Sequence, residues 1–507
     1  MTKRFAPWIV FSAFFLYLTA SAVGLPLRSG GFNLTEFRRL PVSVQGRVQP
    51  FDSAARMALL RIRGSATVPL DGGQAQQSRA TALDADQWLL EVLAKPDLAD
   101  TRKIFPVDNR DLLARLSLKP AARGTTYCAF RDFASEVGTI GGQTQRIAKL
   151  KAADRAAWER DLLALQGRLV MYERLKNSVQ PNSLLQREAK GKPVAFDFAG
   201  ELASYRTDLA EAVRIAARRK SGGTELLDPA TEQRIRAFSG SFLGVSRIGL
   251  LGMIPPLPAD SRDHWNNTGT VIIESARGGR LPLPVAYVAA MTSAFAQGQP
   301  QVFNDRLVKY RRWLVSNGLA PEVRQAGYET FYNVFQPFVR AMALYAVGLI
   351  LLGAAWGARS TTAYRSALML VVLAFALHTT GLVFAIKLAG RPSLMTFAGW
   401  AAVLASLVVA WFWRRGVGTA AAAAMAMTVI VAAHRFAPGG AVALFRNGFD
   451  ITLLGAILVT AAALGAIGVR TRWSRSNSVT RRNGNQTQTR DGVAPLGPRV
   501  ARRGASV

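Results

Sequence analysis

Apolar residues form long unbroken runs at the two ends of this chain and short periodic ones between them. A helix needs about 20 mostly apolar residues to cross about 30 Å of hydrocarbon. Ala6 to Leu25 meets that length. Nothing else does until residue 338, after which runs follow at roughly 338–357, 366–388, 395–413, 418–434 and 451–469. The pattern predicts a mainly α protein: an integral membrane helical bundle of about six transmembrane helices, with a large, mostly helical extracytoplasmic domain after the first span. Asp450 is the only carboxylate between residues 340 and 469, which suits a hydrocarbon surrounding. The expected division is an anchor or signal peptide at 1–25, an extracytoplasmic domain at 26–337, a five-helix membrane domain at 338–470 and a disordered basic cytoplasmic tail at 471–507.

Short-loop Lys and Arg residues set the orientation. Lys3 and Arg4 precede the first span, Arg359 and Arg365 lie between the second and third, and Arg414 and Arg415 lie between the fourth and fifth. Nine Arg follow the last span, from Arg470 to Arg503. All of these fall on one side, which leaves 26–337 on the other. The basic start and the small residues of ASAVG also suit a cleaved signal peptide, but the apolar run exceeds a usual signal core, which favours an uncleaved anchor.

Within 26–337 the pattern is helical in places. Asp52 or Ser53 can cap a helix running to about Ile62. Residues 87–119 read as two short helices split by Pro96 and Pro106, the second capped by Asp108 or Asn109. Residues 143–177 read as the clearest helix, with Ile147, Leu150, Ala153, Trp158, Leu162, Leu165, Leu169, Tyr172 and Leu175 recurring mostly at three- and four-residue spacing as a packing stripe. Residues 180–260 are weakly patterned, and 283–340 form a last helical stretch leading into the second span.

Composition narrows the chemistry. The 507 residues carry 63 Lys+Arg against 32 Asp+Glu, three His and one Cys. A lone Cys128 excludes a disulfide framework, a Cys zinc site and a C-x-x-C-H haem attachment motif. The basic tail has no aromatic platform beyond Trp473, so anionic lipid, not nucleic acid, is the expected partner. No nucleophile stands with a base and an orienting group, and no loop is built to cradle phosphate, so no independent catalytic activity is expected.

The histidines carry the candidate chemistry. His378 falls about twelve residues into the third span, near the expected midplane. It reads either as an axial haem ligand or as a helix–helix hydrogen bond to a Thr or a backbone carbonyl. His434 ends the fifth span beside Arg435, and His264 sits in a polar loop. A shared iron between His378 and His434 conflicts with their separation of about 15 Å in depth. Arg391 follows the third span, where it can pair with a carboxylate such as a haem propionate or anchor the helix in headgroups.

The chain resembles the cytochrome c biogenesis proteins of the CcsA (ResC-like) type, in long versions with an exported N-terminal domain. LPVSVQGRVQPFDSAARMALLRIRG (Leu40 to Gly64) is similar to that group's Gly-Arg-x-x-Pro-hydrophobic-Asp…Ala-Arg opening. WLLEVLAKPDLADTRKIFPVDNRDLLARLSL and FYNVFQPFVRAMALYAVGLIL resemble its exported domain and membrane entry, and HTTGLVFAIKLAGRPSLMTFAGW its Gly-Leu…Gly-Arg-Pro helix end. RRGVG and the run to AAHRFAPGG fit in order and spacing, and the likeness covers most of 38–470 in fragments. The chain departs from the family at the Trp-rich, Asp-containing outer loop. None of its ten Trp forms that loop, and RNGFDITLLGAILV stands where the family has an Asn-Phe-Trp-Leu…His entry.

The resemblance implies a bacterial inner-membrane component of c-type cytochrome maturation. It would handle or deliver haem, with His378, His434 and Arg391 as candidate haem-binding residues, beside other maturation proteins and apocytochrome c. The alternatives are a non-haem scaffold whose outer domain binds protein partners, a truncated remnant of the family, and a transporter of another apolar substrate.

Overall fold

In the computed structural model, the described residues are 2–389 except 24–27, 71–81, 123, 134, 182–187, 190–191, 194–196, 257–264, 279–280 and 359, together with 400, 401 and 404. The described chain is mainly helical. Three stretches are long and apolar enough to cross a membrane: Phe5–Ala22, Ala320–Ala355 and Thr361–Lys387. The expected spans at 395–413, 418–434 and 451–469, with Asp450 and the tail, lie outside the described residues, as do Arg391, His434 and His264.

Helix α1 (Thr2–Val23) leads to a β-ribbon, β1 (Arg28–Ser29) with β2 (Phe32–Asn33), and a single helical turn, α2 (Leu34–Phe37). Strands β3 (Pro41–Val44) and β4 (Arg47–Pro50) form a hairpin with Val44 opposite Arg47. Its two loop residues, Gln45 and Gly46, both have positive φ (52° and 83°), the turn whose twist matches a tight hairpin.

Helix α3 (Phe51–Arg63) follows at once, with Pro50 at its N-cap and Gly64 in the left-handed conformation at its end. Asp52 and Ser53 are therefore not caps. They lie inside the first turn, buried, and their side chains are used elsewhere.

A ribbon of β5 (Thr67–Pro69) with β6 (Ala82–Asp84) follows, and the centre of the large domain packs α3 against α4 (Ala85–Ala94), against the hairpin of β7 (Lys103–Val107) and β8 (Thr126–Ala129), and against a long later helix. Between α4 and β7 lies a single turn, α5 (Pro96–Ala99), opened by Pro96. Pro106 sits in β7 and does not split two helices. Asn109 caps α6 (Arg110–Arg115), its side chain accepting from the backbone of Asp111 and Leu112.

The stretch 143–177 is two helices, α7 (Val137–Ala148) and α8 (Ala157–Lys176). The Arg155 guanidinium donates to the carbonyls of Ala148 and Leu150, which closes α7, and Glu159 accepts from the Ala156 amide, which opens α8. Leu162, Leu165, Leu169, Tyr172 and Leu175 are buried as the stripe requires, whereas Leu150 is exposed in the break.

Two charged ties close this core. Arg102 donates to both Glu91 oxygens at 2.9 and 2.8 Å, both residues buried. Asp100 accepts from the Tyr172 hydroxyl and from Lys176, each at 2.8 Å, and the Lys176 ammonium stands 4.6 Å over the Phe130 ring. Burial and the Asp100 charge hold the Tyr172 hydroxyl protonated, well above its ordinary pKa.

The weakly patterned 180–260 region yields α9 (Phe198–Lys220), α10 (Pro229–Ser241) and α11 (Leu243–Ile248). A short strand at Leu251–Gly252 joins the edge of β3, pairing Leu251 with Val44. The last helical stretch is a succession: α12 (Thr268–Gly278), α13 (Leu283–Ala296), α14 (Pro300–Ser316), α15 (Ala320–Phe335), α16 (Pro337–Gly357) and α17 (Thr361–Ala389). Phe32, Phe37, Phe51, Phe295 and Phe303 interlock where α13 and α14 meet the N-terminal ribbon.

Helices α16 and α17 pack along each other as a hairpin, and α1 lies against α17. Phe5, Ile9 and Leu16 of α1, and Ile350, Val372 and Val383 of the hairpin, are exposed, as lipid-facing side chains are. The interior face is a second core of Leu344, Tyr345, Leu352, Leu370, Val371, Ala374 and Leu377. Phe384 near the end of α17 meets Tyr328, Phe331 and Tyr332 of α15. The large domain thus stands at the end of the hairpin where α16 begins and α17 finishes.

Candidate functional site

The Gly46-Arg47…Pro50-Phe51-Asp52…Ala55-Arg56 segment turns out to be one side of a buried polar junction. Arg56 on α3 donates to both Asp52 oxygens at 2.9 Å. Asn333 on α15 donates to Asp52 at 3.0 Å and to the Ser53 hydroxyl at 2.8 Å. Ser53 in turn donates to Glu329 on α15 at 2.6 Å, and Arg47 on β4 donates to the same Glu329 oxygen at 3.1 Å. Asp52, Ser53 and Glu329 are buried, so these charge-assisted bonds act in a low dielectric and are stronger than on a surface. Asp86 on α4 is buried beside this group. Its burial, with the Asp52 charge, pushes its carboxyl up to about 6.

Three residues after Asn333 the chain turns from α15 into α16. Gln336 makes the joint in the left-handed conformation, φ 46° and ψ 61°, immediately before Pro337. A side chain there costs about 1–3 kcal/mol, so the packing on both sides must hold it. On the far side the hairpin is tight. A Cβ added at Gly381 of α17 would come within 3.1 Å of Phe338 and 3.2 Å of Pro337.

His378 lies three residues before Gly381. Its ring is fully buried, with Phe338 edge-on at 5.5 Å between centroids and Tyr345 edge-on at 6.4 Å. Phe338 and Tyr345 are two turns apart on one face of α16, so His378 faces the first turns of that helix. The imidazole is level with the first two turns of α16. Neither nitrogen has a hydrogen-bond partner among the described residues, and the buried Tyr345 hydroxyl has none either. The neighbouring Thr379 donates to the Phe375 carbonyl and accepts from Trp400, so it does not serve the imidazole. Among the described residues, no helix–helix hydrogen bond reaches His378.

A buried imidazole with unpartnered nitrogens is the donor chemistry that axial haem ligation uses, and in donor type the site fits. The ring is also enclosed by its aromatic neighbours, so ligation requires Phe338 or Tyr345 to give way. Among the described residues no group of three or more His, Cys, Asp and Glu is placed to hold a metal ion. Sequence reasoning missed Tyr345, Phe338, Asn333 and Glu329. The seven-residue spacing of Phe338 and Tyr345 on an apolar helix was the available signal for the first two.

Away from the membrane helices, a groove of about 450 Å³ opens between α9, α13 and α14. Leu202, Ala286, Tyr287 and Val302 line it beside Arg206 and Arg306. Cys128 is buried, and burial raises its thiol to about 11. No protein-family model matches the chain, and no curated protein matches it.

Proposed function

We propose that this chain is a membrane component of c-type cytochrome maturation, which handles haem in its membrane domain and serves its attachment to apocytochrome c. The observation that carries this reading is His378: an ionisable side chain in an apolar span, fully buried, with both nitrogens unpartnered among the described residues. Such residues are costly in membrane helices and mark functional sites there. The order of the motif fragments between residues 38 and 470 supports the family assignment.

His378 would hold the haem iron. Arg391 stands as a candidate propionate partner, and His434 as a separate haem-binding candidate that does not share the His378 iron. Haem supplies the group to be attached, and the protein's part is to bind it, orient it and keep water away. The position of His378 level with the first turns of α16, where the large domain stands, suits a hand-over on that side. The Lys/Arg distribution supports the large domain on the non-cytoplasmic side; the resemblance implies that this is the periplasmic side of a bacterial inner membrane, where apocytochrome c and other maturation proteins would be its partners.

The enclosure of His378 by Phe338 and Tyr345 favours a second reading, a non-haem scaffold. In it the hairpin only anchors, and the outer domain binds partners, with the α9–α13–α14 groove as one docking surface. The two readings separate on the purified membrane protein from haem-replete cells. The first predicts a Soret band that His378→Ala abolishes. A colourless preparation overturns it in favour of the scaffold.

A further inference from the structure

Helix α15 is held from both sides. On one, Asn333 and Glu329 bond Asp52, Ser53 and Arg47 of the large domain. On the other, Tyr328, Phe331 and Tyr332 pack on Phe384 of α17. Between α15 and the His378 site there is only the left-handed Gln336 and Pro337.

We propose that Asn333 and Glu329 are positioning residues for the His378 site, holding α15 so that Pro337 and Phe338 close over the imidazole. The inference rests on reading His378 as the membrane site. The residue before a proline prefers extended backbone, and a glutamine in the left-handed region is disfavoured besides. Gln336 keeps that conformation because α15 is fixed on one side of it and Phe338 on the other. Asn333 sits in the last turn of α15, where the Gln336 amide still bonds the Tyr332 carbonyl at 2.9 Å. A shift at Asn333 therefore reaches Phe338 within five residues.

When the junction is broken, the joint relaxes toward the extended region and Phe338 moves off His378. A partner that displaces the β3–β4 hairpin or the start of α3 does the same. The state of the large domain thereby sets access to the buried imidazole.

The test is hydrogen–deuterium exchange on the full chain in lipid nanodiscs. Asn333→Ala should speed exchange several-fold in 337–345 and 374–384 while 157–176 keeps its wild-type rate. Glu329→Ala should do the same. Glu329→Gln keeps an oxygen for Ser53 and Arg47 and should stay near wild type. Glycine adopts the left-handed joint without strain, so Gln336→Gly in the Asn333→Ala background should restore slow exchange. The proposal is overturned if Asn333→Ala acts only on 41–63 and 320–335, if it speeds exchange evenly through the chain, or if Gln336→Gly restores nothing. Exchange is read without haem, so failure here is separable from failure of the Soret test, which probes the haem reading alone.

Discussion

Phe338 stands edge-on to His378, ring centroids 5.5 Å apart and planes 80° apart, one residue after the proline that opens α16. The nearest backbone approach behind this pair is Gly381, where a Cβ would meet Phe338 at 3.1 Å. Gly381→Ala is expected to push Phe338 and loosen the hairpin by about 1–3 kcal/mol, the usual range for overpacking. Thermal unfolding in detergent should show a lower midpoint, with Gly278→Ala, which has open space around it, as the control.

Asp86 makes the large domain's stability depend on pH. Unfolded, its carboxyl titrates near 3.8; in the folded chain burial and the Asp52 charge move it to about 6. Below the lower value both states are protonated and the group contributes nothing. Between pH 3.8 and about 6 the unfolded chain sheds a proton that the folded chain keeps, so stability falls by about 3 kcal/mol and levels off above 6, where the buried carboxyl ionises too. Asp86→Asn should therefore gain stability over wild type progressively from pH 4 to about 6, and hold that gain above it, in urea unfolding. A constant difference across that range would contradict the assignment.

The Arg102–Glu91 pair is buried and bidentate, so removing one partner strands the other. Arg102→Ala is expected to destabilise by about 3–5 kcal/mol. Replacing both residues by apolar ones should cost much less. Equal losses in the single and double variants would show that the pair is not the cause.

Cys128 is the only thiol in the chain, and burial raises it to about 11. Iodoacetamide at pH 8 should leave it unmodified in the folded protein and alkylate it fully in urea, since the thiolate is the reactive form. Modification at the same rate in both states would contradict its burial.

Local pattern made some of this legible in the sequence. The first three spans coincide with α1, α16 and α17, and Asn109 caps its helix as its type and place suggested. The stripe at 143–177 marked the buried residues of α8 from Leu162 to Leu175 but also the exposed Leu150 and Ala153, and it missed the break, because the carbonyls freed at Ala148 and Leu150 are satisfied by Arg155, a polar contact that hydrophobic periodicity does not register. Pro106 read as a helix breaker and is a strand residue, since only its pairing with Tyr127 of β8 reveals the ladder. The polar junction lay beyond sequence reasoning: Asp52 and Asn333 are 281 positions apart, and only the fold brings them together. His378 was visible as a polar residue in an apolar run. That its nitrogens have no partner among the described residues was not, because a helix–helix hydrogen bond to a Thr or a backbone carbonyl was equally consistent with the sequence.

The central claim is that His378 is the membrane site for haem. Titration of the detergent-solubilised full chain with haem tests it most directly, with His378→Ala and Thr379→Ala alongside. The account predicts saturable binding to wild type and Thr379→Ala, and a loss of at least about tenfold in affinity for His378→Ala, equivalent to about 1.4 kcal/mol. Identical binding curves for wild type and His378→Ala, or no saturable binding to either, would contradict it.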